Sequence, residues 1–123
     1  MIRHFQQQSP SAAPANFSPP DNYLWKVLLI RLSLTTGTGT GSRQGKISAI
    51  DFDNVLYFSL VDTGVQTSVS TVYDETLGPI GSATNILYAP VVLDATMGFN
   101  FVFTLISGDS VTWDIMVDQV YNV

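Results

Sequence analysis

The chain has 123 residues, a formal net charge of −5 and no cysteine; 12 % of its residues are charged and 46 % are hydrophobic. Without cysteine there is neither a disulfide framework nor a thiolate metal site. The five basic residues Arg3, Lys26, Arg31, Arg43 and Lys46 are scattered through an acidic chain, which excludes the clustered cationic groove that nucleic acid requires.

One domain plus a leading arm is the expected organisation. Residues 1–21, MIRHFQQQSPSAAPANFSPPD, contain four prolines and three consecutive glutamines. Such a segment buries too little surface to offset its own chain entropy. It is expected to run extended along a neighbouring molecule, with Ile2, Phe5, Phe17 and Trp25 as its apolar anchors. On that reading a chain lacking residues 2–20 still folds. Arg3 is followed by polar residues where a signal peptide needs an apolar run, so synthesis in a cytoplasm is expected. Asn16-Phe17-Ser18 then matches a glycosylation acceptor by coincidence. The apolar run Val27–Ile30 is too short to cross a bilayer.

From residue 22 onward the pattern is that of strands. In 23–36, Leu28, Ile30, Leu32 and Leu34 alternate with Arg31, Ser33 and Thr35, while Trp25, Val27 and Leu29 make the first half apolar on both faces. The glycine-rich run 37–42 reads as a mobile loop. Strands are predicted over 46–52 and 55–61 around the turn pair Asp53-Asn54, then over 65–73. A second loop covers 77–82, and 85–93 reads as a strand broken at Pro90, which cannot donate to a ladder. Phe99, Phe101, Phe103 and Leu105, then Val111, Trp113, Ile115 and Val117, alternate on either side of Ser107-Gly108-Asp109, and a closing hairpin is predicted. Short strands without a helix predict a single antiparallel β-sandwich over 22–123, of jelly-roll type.

Candidate chemistry is sparse. GTGTGSRQGK has Thr40 where a Walker loop needs glycine, Ile47 after Lys46, and a strand where the phosphate-binding helix should begin. His4 is the lone histidine, so Ser-His and Cys-His nucleophile systems have no support. The acids near Asp51, Asp53 and Asp62 could flank a glycosidic bond or offer oxygens to calcium, but Asp beside Asn is ordinary turn chemistry. No catalytic residue, cofactor or metal is expected. Trp113 is in phase with core residues; Trp25, Tyr57, Tyr88 and Tyr121 are divided between core, protein interface and sugar platform.

The arm, the segment LWKVLLIRLSLTTGTGTGSRQGKISAIDFDNVLYFSL and the Val-, Thr- and Phe-rich strands after it resemble, in their order, small virion proteins of tailed bacteriophages, in particular jelly-roll cement (decoration) proteins. The resemblance implies a structural protein on the outer surface of a capsid. Its partner would be the major capsid protein, and it would self-associate as a dimer or trimer, with no nucleic-acid or membrane partner. It transfers no residue role. A receptor- or glycan-binding module of a phage tail or fibre, or a carbohydrate-binding module, is the alternative expectation.

Overall fold

The computed structural model describes residues 1–6, 14, 17–51, 56–78, 85–86 and 91–122. Nine strands are defined among them: β1 (Ile2–Gln6), β2 (Tyr23–Thr35), β3 (Gln44–Asp51), β4 (Leu56–Asp62), β5 (Val72–Gly78), β6 (Asn85–Ile86), β7 (Val92–Leu93), β8 (Met97–Thr104) and β9 (Ser110–Tyr121). One sheet runs β1-β9-β2-β5-β6, with β7 pairing β2 as well; the other runs β4-β3-β8. The two sheets enclose one apolar core, so the chain is a β-sandwich, as the alternation predicted. β2 pairs with β9 and β3 with β8, while the β2–β3 and β8–β9 connections both pass from sheet to sheet.

β2 explains its own two-sided look. Its register against β9 shifts between Val27 and Leu29. A bulge of this kind adds one residue and reverses the phase of the side chains that follow. Trp25 and Val27 therefore point inward before it, and Ile30, Leu32 and Leu34 after it. β9 keeps one phase throughout, burying Val111, Trp113, Ile115, Val117 and Gln119.

Three expectations are corrected. The last two strands are not a hairpin: β8 bonds to β3 and β9 to β2 and β1, in opposite sheets. Alternation does not distinguish strands that pair from strands that face each other, and here Phe101 and Trp113 meet across the core at 4.7 Å between ring centroids. The strand placed over 65–73 begins at Val72. Before it, Val65, Thr67, Ser68, Val69 and Ser70 are exposed, so no face is buried to hold a strand, and Ser70 takes a φ of 50°. The described parts of the arm, finally, belong to the sandwich. β1 adds to the edge of the larger sheet beside β9, and Phe17 bridges to Phe99 on β8. The Asp53-Asn54 turn, Pro90, Tyr88 and the loop beyond Gly78 lie outside the described residues.

Candidate functional site

Three sheet-to-sheet crossovers meet at one end of the sandwich: residues 36–43, 63–71 and 105–109. Arg43 stands at the junction, fully buried. Its Nε and Nη2 donate to Oδ2 and Oδ1 of Asp109, both at 3.1 Å. Nη2 also donates to the Gly39 carbonyl at 2.8 Å, and Nη1 to the carbonyls of Gly41 and Thr67 at 3.2 and 3.4 Å. All five guanidinium donors are thereby used, and one side chain ties the three crossovers together. Asp109 in turn accepts the backbone N–H groups of Gly37 and Ile106. The Arg43 hydrogen bonds, reinforced by these N–H groups against the opposing effect of burial, lower the Asp109 carboxyl to a pKa of about 2.

The glycine-rich run is therefore packed, not loose. A Cβ on Gly37 would lie 2.8 Å from the Gly108 backbone, and Gly41 has a φ of +139°. Glycine is required where two crossovers touch this closely. The remaining exposed apolar side chains at this end are Val65 and Val69, with Val72 where β5 begins, at 64, 43 and 57 % exposure.

The four expected arm anchors separate into two groups. Phe5, Phe17 and Trp25 come together within the chain: ring centroids lie 4.9 Å apart for Phe5–Phe17, 5.1 Å for Phe5–Trp25 and 5.4 Å for Phe17–Trp25. Phe17 also packs against Phe99, Phe101 and Trp113. These rings close the flank between the two sheets, so their expected role on a neighbour is corrected to packing in their own sandwich. Trp25 is 3 % exposed, and its indole N–H donates to Gln119 Oε1 at 3.0 Å. That bond explains why a polar residue occupies the last inward position of β9. Ile2 alone faces solvent, at 57 % exposure.

On the outer face of the larger sheet, Arg31 stands opposite Thr76 and Asp114, and Ser33 opposite Asp74 and Thr112. The small Ser33 side chain leaves a trough of about 290 Å³ between them. His4, the lone histidine, lies 3.1 Å from Asp114 Oδ1 on the same face. Among the described residues no three His, Asp or Glu side chains are grouped to hold a metal ion, and Asp53 lies outside those residues. Sequence reasoning missed Arg43. A lone arginine between glycine-rich segments carries little signal, and its partner Asp109 is 66 residues away.

Comparison with protein-family models, with curated proteins and with solved structures gives no match for this chain.

Proposed function

We propose that this chain is a structural virion protein, a capsid cement that docks on the outer shell and braces contacts between capsid subunits. The observation that supports it best is the end of the sandwich at which Val65 and Val69, on a crossover tied by the buried Arg43–Asp109 pair, and Val72, at the start of β5, are exposed. An apolar surface held rigid in advance loses little conformational entropy on docking. The low share of charged residues, 12 %, suits a protein whose surface is covered by neighbours. The partner is the capsid lattice itself, and the role is mechanical, without a catalytic residue, cofactor or metal. The test is co-sedimentation of the purified chain with DNA-free shells of its particle. Binding by the native chain, weakened at least tenfold by Val65→Asp and Val69→Asp together, supports the proposal; shells that sediment without the chain overturn it.

The trough around Ser33 favours a second reading, a glycan-binding module. Arg31 donates hydrogen bonds, Asp74 and Asp114 accept them, and the hydroxyls of Ser33, Thr76 and Thr112 do both, which matches the polyhydroxylated face of a sugar. Glycan-array binding that Ser33→Trp abolishes would favour this reading over the first.

A further inference from the structure

β1 is held to the sandwich chiefly by two sets of contacts. One is the antiparallel ladder to β9, from Ile2 opposite Asp118 to Gln6 opposite Asp114. The other is the packing of Phe5 on Phe17 and Trp25. The Phe5 and Phe17 rings are 4.9 Å apart, yet ten residues separate Gln6 from Phe17 in the chain. Ten residues reach about 35 Å when extended. The connection can thus reach well beyond the separation of the two rings that it joins within one molecule.

We propose that β1 is an exchangeable strand: where copies are crowded together, the β1 of one copy occupies the seat beside β9 of a second copy, and the reverse. The seat fits this occupant because the contacts required are those that each chain already makes with itself. They are the ladder, Phe5 in its aromatic cluster, and the Arg3 Nη1 donor 3.4 Å from Gln119 Oε1. Exchange of an identical element needs no new complementary surface. Concentration decides between the two arrangements. A connection of ten residues gives an intrachain effective concentration on the order of millimolar, and extra length lowers it. Dilute chains close on themselves, and chains held side by side exchange. This inference deepens the proposed role in an assembly and rests on it for its purpose.

The test uses the purified chain alone, so its failure removes strand exchange and leaves shell docking to its own experiment. Met1 and Gln119 exchange both backbone hydrogen bonds. His4 and Met116, three residues further along each strand, are therefore a non-hydrogen-bonded pair, with Cα atoms about 4.5 Å apart, a spacing that a disulfide accepts. Both side chains lie on the outer face, and the chain has no cysteine of its own. H4C and M116C single variants are mixed, equilibrated at about 10 μM and at about 1 mM, oxidised and separated on a non-reducing gel. Exchange gives a covalent 4–116 heterodimer whose fraction rises on the order of tenfold between the two concentrations. A mixture of H4C with K46C, on the other sheet, gives the random background. The H4C/M116C double variant shows that the seat is formed by closing an intrachain bond when dilute. If the double variant closes within the chain at both concentrations and the mixture stays at background, strand exchange is wrong.

Discussion

Arg43 and Asp109 form a side-on, two-bond ion pair whose side chains have no solvent exposure. The pair joins residues 66 apart in sequence at the one place where all three crossovers converge. An ion pair that is buried and fully hydrogen-bonded contributes little over an apolar pair of the same volume, but losing one partner leaves a charge buried alone. Asp109→Ala is therefore expected to cost about 3–5 kcal/mol, a large part of the roughly 5–15 kcal/mol that a domain has. Urea unfolding should show a lower midpoint with an unchanged slope. Arg43→Met combined with Asp109→Leu should cost less than the two single changes added together. Single changes that each cost under about 1 kcal/mol would show that the pair does not hold the crossovers.

The same carboxylate is expected to contribute to the acid limit. Its folded pKa, about 2, lies below the ordinary 3.8, so the unfolded chain binds the proton more readily. The stabilisation is then complete above the unfolded value, and it declines as pH falls from about 4 through 2. Asp109→Asn removes the titrating group. Its melting temperature should start lower at neutral pH and fall less between pH 5 and pH 2 than that of the native chain. Parallel curves for the two proteins would mean that other carboxylates govern acid unfolding.

Periodicity conveyed much of this architecture because burial on one face of a strand leaves a period of two wherever it occurs. β9 could be read almost residue by residue up to Val117 for that reason. The limits have the same origin. Alternation records which side chains are inward and not which strand lies alongside, so β8 and β9 looked like a hairpin when they face each other across the core. In β2 one extra residue at the bulge reversed the phase, and the apolar residues on both sides of it seemed to demand two buried faces. Composition made the arm look unable to fold because it contains few apolar side chains. Its described parts are nevertheless held, Phe5 against Trp25 and Phe17 against Trp25, Phe99, Phe101 and Trp113. Arg43 had no local signature, since its partners are mostly backbone carbonyls that any residue supplies.

Gly98 shows how closely the returning arm approaches β8. A Cβ at this position would stand 2.6 Å from the Phe17 carbonyl oxygen and 3.2 Å from Ser18 Cβ. Gly98→Ala should push residues 17–18 away and lengthen the hydrogen bond from the Phe99 N–H to the Phe17 carbonyl, now 2.8 Å. Overpacking of this kind costs about 1–3 kcal/mol. Phe17 lies against both tryptophans, so the displacement should red-shift their emission. An alanine variant with native emission and native stability would place the arm elsewhere.

Removing the arm bears most directly on what it is for. If it were only a tether to a neighbour, a chain lacking residues 2–20 would be as stable as the whole. Here the deletion takes two aromatic rings out of the flank. At about 1.5–3 kcal/mol for each buried side chain, the gross loss is roughly 3–6 kcal/mol, less the entropy that the arm regains. The truncated chain should melt lower and bind a hydrophobic dye where Trp25, Phe99 and Trp113 are uncovered. A milder deletion of residues 1–6 keeps Phe17 and empties only the seat beside β9. The free peptide MIRHFQ should then raise the melting temperature of that variant in a saturable way, because the ladder and the Phe5 site await the same strand. The same peptide with Phe5→Ala should do so weakly. A truncated chain that is as stable as the whole, and indifferent to the peptide, would return the arm to the role of a tether.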